Sequence, residues 1–223
     1  MSIDHIDELQ DGIEYFKNVI KQYKNQENIE IELRIGQIND TFFKSGLNSV
    51  EFYNKIRERL ESSKDWDNIL RTTTDELNSN GIRKITHFNG KKISKTSCIT
   101  KKKLKNINLK YDNTPYDIRI SVSREVESES KIKSGTLRKK TRDSYFYKDY
   151  RFDLTKVLQT ENTVVSELYE FEVELINLDS DVSDQYRSHS ALLIMRDIIN
   201  MCEPIDKGKL EIDINEDLNK LNI

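Results

Sequence analysis

Apolar residues recur at spacings of three and four through Ile6, Leu9, Ile13, Phe16, Ile20 and Tyr23, the stripe of an amphipathic helix beginning near Asp4. Phe52, Tyr53, Ile56 and Leu60 repeat that spacing behind Ser49 and Asn48, either of which is a good helix cap. A third helix is expected over Asp184–Cys202, carrying Tyr186, Leu192, Leu193, Met195, Ile198 and Ile199. Between these segments the period shortens to two. Strands are expected at Ile29–Gly36, Asn68–Leu77, Gly81–Phe88, Lys92–Leu104, Asp117–Glu127, Thr136–Tyr147, Tyr150–Thr155 and Leu168–Ile176, with a weaker candidate at Lys209–Ile214. Turns of hairpin length such as Asn80-Gly81 and Asn89-Gly90 join several of them, so the class is α+β with an antiparallel sheet that a barrel would close. No linker or repeat divides the chain, and residues 1–223 read as one domain.

The alternation also sorts charge. In Ile29-Glu30-Ile31-Glu32-Leu33-Arg34-Ile35 every second residue is charged, and a strand sends the two sets to opposite faces. Glu170, Glu172 and Glu174 alternate with Phe171, Val173 and Leu175 in the same way, which sets three carboxylates in a row about 7 Å apart. Arg138, Lys140 and Arg142 share one face of their strand; Arg151, Asp153 and Thr155 share another, and Arg119, Ser121, Ser123 and Glu125 a third. One strand of this kind is ordinarily the solvated side of a half-exposed sheet. Five of them, with acids concentrated in one strand and bases in another, instead imply two facing walls inside a closed barrel whose apolar faces point outward to the helices.

Composition narrows the classes. The 223 residues are 35% hydrophobic and 34% charged, with seven glycines and two prolines, which excludes collagen-like and disordered chains. The longest apolar run, Ala191 to Met195, is far short of a membrane span, and the acidic start lacks the features of a signal peptide. Two cysteines, Cys98 and Cys202, form no disulfide framework or zinc motif, so an intracellular, reducing compartment is expected. Thirty-six basic and 39 acidic side chains leave a net charge of −3, so any attraction for an anion must be local. Crowded glutamates without His or Cys suit Mg²⁺ or Mn²⁺, and the opposed cations suit a phosphate-rich substrate.

These motifs, E-x-E-x-R at Glu30, Glu32 and Arg34 and E-x-E-x-E at Glu170, Glu172 and Glu174, resemble those of the triphosphate tunnel metalloenzymes. The similarity is greater to the fungal and viral RNA triphosphatases of mRNA capping, because R-x-K-x-R at Arg138, Lys140 and Arg142 and R-x-D-L-T from Arg151 to Thr155 follow in that branch's order. The stretches ILRTTTD around Arg71 and YDIRISVSRE around Arg119 and Glu125 also agree, and the likeness spans residues 29–176. Arg34, where adenylate cyclases and thiamine triphosphatases of the superfamily usually have Lys, points the same way. The resemblance implies an eight-stranded tunnel that hydrolyses the γ-phosphate of 5′-triphosphate RNA. It implies Glu30, Glu32 and Glu174 as metal ligands, Glu172 and Glu125 as holders of water, and Arg138, Lys140 and Arg142 as catalytic cations. Arg71, Lys101, Arg119 and Arg151 would contact or brace the phosphates, with Asp153 fixing neighbouring cations and the register of Lys101-Lys102-Lys103 left open. A cap guanylyltransferase, in the same polypeptide or separate, would be the functional partner. The abundance of Asn, Ile and Lys points to an AT-rich genome such as a giant virus, with a virion or viral factory as the location.

Competing chemistries lack their motifs. There is no phosphate-binding G-x-x-x-x-G-K-[ST] loop, no C-x-x-x-x-x-R loop of the cysteine phosphatases, no H-E-x-x-H and no K-x-D-G. Two other readings remain: a noncatalytic module that binds triphosphate or polyphosphate, for which the glutamates would be superfluous, and a tunnel that acts mainly on free nucleoside triphosphates or inorganic polyphosphate.

Overall fold

The computed structural model describes residues 4–6, 9–39, 42–111, 114–130, 132–161 and 163–202. In chain order the elements are β1 (Asp4–Ile6), α1 (Leu9–Tyr23), β2 (Ile29–Asn39), β3 (Phe42–Ser45), α2 (Val50–Ser62), β4 (Asn68–Ser79) and β5 (Ile82–Asn89). There follow β6 (Lys92–Leu109), β7 (Asp117–Glu127), β8 (Thr136–Tyr147), β9 (Tyr150–Glu161), β10 (Val164–Leu175) and α3 (Asp184–Ile199). Eight strands close a ring in the order β2-β7-β6-β5-β4-β8-β9-β10, returning to β2, and every pair in it is antiparallel. Closure follows from β2, which pairs with β10 on one side (Glu174 opposite Glu32) and with β7 on the other (Glu32 opposite Ser121). The expected α+β barrel is therefore present.

Outside the ring, the apolar parity of β2, β7, β9 and β10 forms the hydrophobic core. Ile31, Leu33, Ile35, Ile118, Ile120, Leu154, Phe171 and Val173 are buried there against Phe16 and Ile20 of α1, Ile56 of α2, and Leu192 and Met195 of α3. Ser49 caps α2, accepting from the Phe52 amide at 3.1 Å. The far end of that helix is tied by Trp66, whose Nε1 donates to the Leu60 carbonyl at 2.8 Å while its ring packs against Tyr145 and Phe152. The coat is one-sided. No described helix covers β4, β5 and the first half of β6, and none is required, because Arg71, Thr73 and Asp75 on β4 and Lys84 on β5 give those strands polar outer faces.

The structure corrects several boundaries. The first helix begins at Leu9, because residues 4–6 form a strand paired in parallel with Ile107–Leu109 of β6. The short β3, antiparallel to the end of β2, breaks no hydrophobic pattern long enough to be seen. β9 and β10 run beyond the expected limits, since their hairpin continues the backbone ladder where Leu158, Val164 and Val165 are exposed and the alternation has lost its meaning. β6 runs on to Leu109 because a shift in its pairing with β7 after Lys103 carries it into the buried stretch Ile107–Leu109. The third helix ends at Ile199, and the Lys209–Ile214 candidate lies outside the described residues.

One buried ion pair locks α3 to the barrel. Arg187 is fully buried, and its guanidinium meets Asp149 in the β8–β9 turn at 3.0 Å and Asp184 at 3.2 Å, with further bonds to the Asn177 and Ser180 carbonyls. Replacing one partner of such a pair leaves the other charge buried and uncompensated. Arg187→Ala is expected to lower stability by about 3–5 kcal/mol, read by urea denaturation, and Arg187→Lys to recover little of it because a lysine cannot reach four acceptors in a plane.

Candidate active site: a charged tunnel

Because the apolar parity faces out, the other parity fills the lumen. There it encloses a cavity of about 230 Å³ whose lining holds seven carboxylates and seven cations, with Ile85 and Ile99 as the only apolar residues and no aromatic ring. The acids and bases are interleaved rather than divided into two facing walls. Arg138 of β8 reaches Glu170 of β10 at 2.6 Å; Arg142 meets Asp153 at 2.8 Å and Glu172 at 3.6 Å; and Arg151 bridges Asp153 at 3.0 Å and Glu174 at 2.5 Å. Arg34 stands between Glu32 at 2.7 Å and Glu172 at 2.8 Å. Segregated walls would leave each sign self-repelling in a low-dielectric space; interleaving pairs every row as it forms.

The register of β6 is settled by a bulge. Lys101 and Lys103 point inward and Lys102 outward, and the pairing with β7 shifts between Lys103 and Lys105 so that Asn106 and Asn108 return to the lumen side. The Lys101 ammonium lies 2.7 Å from Glu30, 3.2 Å from Glu125 and 3.7 Å from Glu32. One positive centre thus touches three carboxylates.

These carboxylates are not equivalent. Burial, reinforced by Glu172 and Glu30, pushes Glu32 up to about 8 despite Arg34 and Lys101. Burial with Glu30, Asp153 and Glu32 nearby likewise pushes Glu174 up to about 8 against the pull of Arg151. Glu172 goes the other way: burial opposes ionisation, yet Arg34, Arg142, Lys140 and Lys101 together hold it well below the usual carboxylate range. Glu125 is also held low, burial being outweighed by a hydrogen bond with Glu30 and by Lys101. The corner shared by Glu30, Glu32 and Glu174 is therefore short of positive charge, whereas the floor under Glu172 is not.

That corner fits a hard divalent cation in donor chemistry, all carboxylate oxygen, and in electrostatics. Among the described residues, though, no three His, Cys, Asp or Glu side chains are gathered closely enough to hold a metal as they stand. Lys101 and Arg151 occupy the approaches to Glu30 and Glu174, so both would have to swing aside.

Of the residues singled out from sequence, twelve share the lumen and one does not. Arg71 is on the outer face of β4, 70% exposed, paired with Asp143 at 3.2 Å and Glu61 at 3.5 Å, because its parity is opposite to that of Glu76. Arg119 faces inward but beyond the main cavity, where its Nε donates to Asn108 at 2.8 Å and its guanidinium lies 4.4 Å from the Phe43 ring centre. Sequence reasoning missed Glu76 and Arg83 as lumen residues. Thr72, Thr74 and Glu76 alternate across from Arg142, Lys140 and Arg138, so Glu76 was findable by parity; Arg83 was not, because Ile85 shares its inward face.

Comparison with known proteins agrees with this geometry. The family model described as mRNA capping enzyme, beta chain, matches residues 41–191. The chain belongs to that family, the mRNA capping triphosphatases. The structure is similar to that of the RNA triphosphatase Pct1 of S. pombe, with a TM-score of 0.71 and 19% identity over 85% of this chain and 92% of that one. A second structure of that protein, in complex with the Spt5 CTD, gives 0.67 at 19% identity over the same shares, 85% and 92%. The Mimivirus capping enzyme triphosphatase gives 0.57 at 18% identity over 87% of this chain and 99% of that one. No curated protein matches. The family match begins after Glu30 and Glu32, and it is the closure of β2 onto β10 and β7 that brings those two to the others.

Lys140 is the most buried cation of the site, 2.7 Å from Glu76. Burial and the neighbouring Arg142 and Arg138 lower the Lys140 pKa against Glu76, while Lys140 and Arg83 hold Glu76 low against burial. Glu76→Ala is expected to destabilise the protein by about 3 kcal/mol at pH 7, and adding Lys140→Met to restore most of that. A carboxylate depressed in the folded state stabilises above its unfolded pKa. The difference between wild type and Glu76→Ala, measured by urea denaturation across pH, should therefore persist above about pH 5 and narrow as the pH falls below the ordinary Glu value of about 4.3.

Proposed function

We propose that this triphosphatase hydrolyses the γ-phosphate of 5′-triphosphate RNA as the first step of mRNA capping, with Mg²⁺ or Mn²⁺ held by Glu30, Glu32 and Glu174. The observation that carries the reading is the enclosed lumen in which acids and bases balance. A triphosphate adds about four negative charges, more than lining cations already engaged by carboxylates balance alone, so its entry calls for a further cation. Held by Glu30, Glu32 and Glu174, a divalent ion would supply that charge and Lewis-acid polarisation of the phosphoryl group.

The remaining work falls to the chain. Arg138, Lys140, Arg142 and Arg151 offer donors to the phosphate oxygens, and each is already oriented by a carboxylate, so little reorganisation accompanies substrate entry. Glu172, held ionised by neighbouring cations, and Glu125, held low by its hydrogen bond with Glu30 and by Lys101, are poor proton acceptors and good hydrogen-bond acceptors; they orient the attacking water rather than deprotonate it. A loose phosphoryl-transfer transition state needs no more than that. Attack in line breaks the β–γ bridge and leaves a diphosphate RNA end and orthophosphate, with no covalent enzyme intermediate. A cap guanylyltransferase, on the same polypeptide or another, then takes up the diphosphate end. The cysteine usage fits an intracellular setting, and a viral source would place the step in a viral factory or virion.

The test is phosphate release from γ-labelled triphosphate RNA beside free ATP, with Mg²⁺ and Mn²⁺ in turn. Release from RNA only with metal is expected; binding without release would leave the noncatalytic alternative, and faster release from ATP would favour a nucleotide-directed tunnel. Metal is expected to raise Tm, and Glu32→Gln or Glu174→Gln to abolish that gain. Arg142→Ala is expected to lower kcat by roughly 10²–10³ with its fold retained, as for loss of a transition-state donor.

A further inference from the structure

The two mouths of the tunnel differ in charge. At the end bounded by the β4–β5 turn, the start of β8 and the end of β9, a cavity of about 340 Å³ is lined by the cations Arg83, Lys101, Lys103 and Arg138 and by no carboxylate. A small recess of about 60 Å³ beside it adds Arg34 and Arg119, with Glu32 as its only acid. At the opposite end, where β2 begins and β10 finishes, the lining carries Glu27, Glu174 and Asp179, and its one cation, Lys24, is held by Asp184 at 2.9 Å. Among the described residues no carboxylate pairs with Lys103 or Arg119. Lys103 is exposed at the rim, where the β6 bulge fixes its inward direction.

From this asymmetry, and resting on the triphosphatase reading above, we infer that the RNA enters through the cationic mouth and that Lys103 and Arg119 bind the phosphodiester backbone of its first nucleotides. The terminal phosphate then points toward the glutamate corner and the acidic end, which repels a continuing polyanion. Among the described residues no aromatic side chain on which a base could stack lines the central cavity, so the first nucleoside stays outside it, and contacts to backbone phosphate at the rim favour an RNA end over a bare triphosphate without regard to sequence.

The experiment compares kcat and KM for a ten-nucleotide triphosphate RNA and for inorganic tripolyphosphate, which reaches only the lumen, across a range of salt. Loss of one charge-assisted phosphate contact predicts that Lys103→Ala raises KM for RNA roughly five- to tenfold with kcat nearly kept. The ratio of kcat/KM for RNA to that for tripolyphosphate should fall, the salt slope for RNA should drop by about 0.7, and Lys103→Arg should restore both. Asp179→Lys, which adds a cation at the other end, should leave the ratio where it was. An unchanged ratio in Lys103→Ala, or a rise in RNA preference in Asp179→Lys, would overturn the assignment. Anisotropy of the same RNA labelled at its 3′ end, with tripolyphosphate as competitor, reads the same discrimination as binding. A wild type that releases no phosphate from either substrate would defeat the hydrolase reading, while the binding ratio would still decide the direction of entry.

Discussion

A closed strand ladder gives every residue one of two destinations, and in this protein the inward one is occupied almost entirely by charge. No charge there can be relaxed by turning away, because the neighbouring side chains on its strand and on both adjoining strands face the same space. Within the central cavity the counter-charge has to come from inside. The pairs Arg138–Glu170, Arg142–Asp153, Arg34–Glu172 and Lys140–Glu76 are the result, and all four connect different strands. The ion-pair network and the ring are thus one condition seen twice: the ladder sets which charges meet, and their meeting makes a polar interior tolerable.

The interior is nevertheless unevenly compensated, and this unevenness is where chemistry enters. Glu172 lies amid four cations, whereas Glu32 and Glu174, on adjacent strands and directly opposite each other, share Arg34, Lys101 and Arg151 with several other acids. An excess of carboxylate in one corner and of cation at one mouth gives the tunnel a polarity along its axis. The direction of entry inferred above follows that polarity.

Much of this was legible in the chain because the relevant signal has a period of two and is written in unambiguous residue types. Glu30, Glu32, Glu170, Glu172 and Glu174 announce their face by alternating with Ile, Leu, Phe and Val, and they lie on it in the structure. The reading failed where the code is weak. Arg71 stands in a run of threonines that fixes no parity, and it faces solvent. Arg83 alternates with an isoleucine that also faces the lumen. The three lysines from 101 to 103 carry no parity at all, and their register depends on a bulge set by pairing with β7, a long-range fact. The ends of β9 and β10 were misplaced because backbone pairing continues where side chains cease to be buried, and the start of α1 because residues 4–6 pair with a distant strand, β6.

The helices insulate only one arc of the ring, and that has a mechanical meaning. Around β2, β7, β9 and β10 the ladder is backed by tightly packed apolar residues, while no described helix packs an apolar face on β4, β5 and the first half of β6. A ring without a free edge cannot fray from one side, so local opening begins where its backing is weakest. Its seam of least resistance runs beside β5, so amide protons on that hairpin should exchange with solvent well before those of β2 or β10.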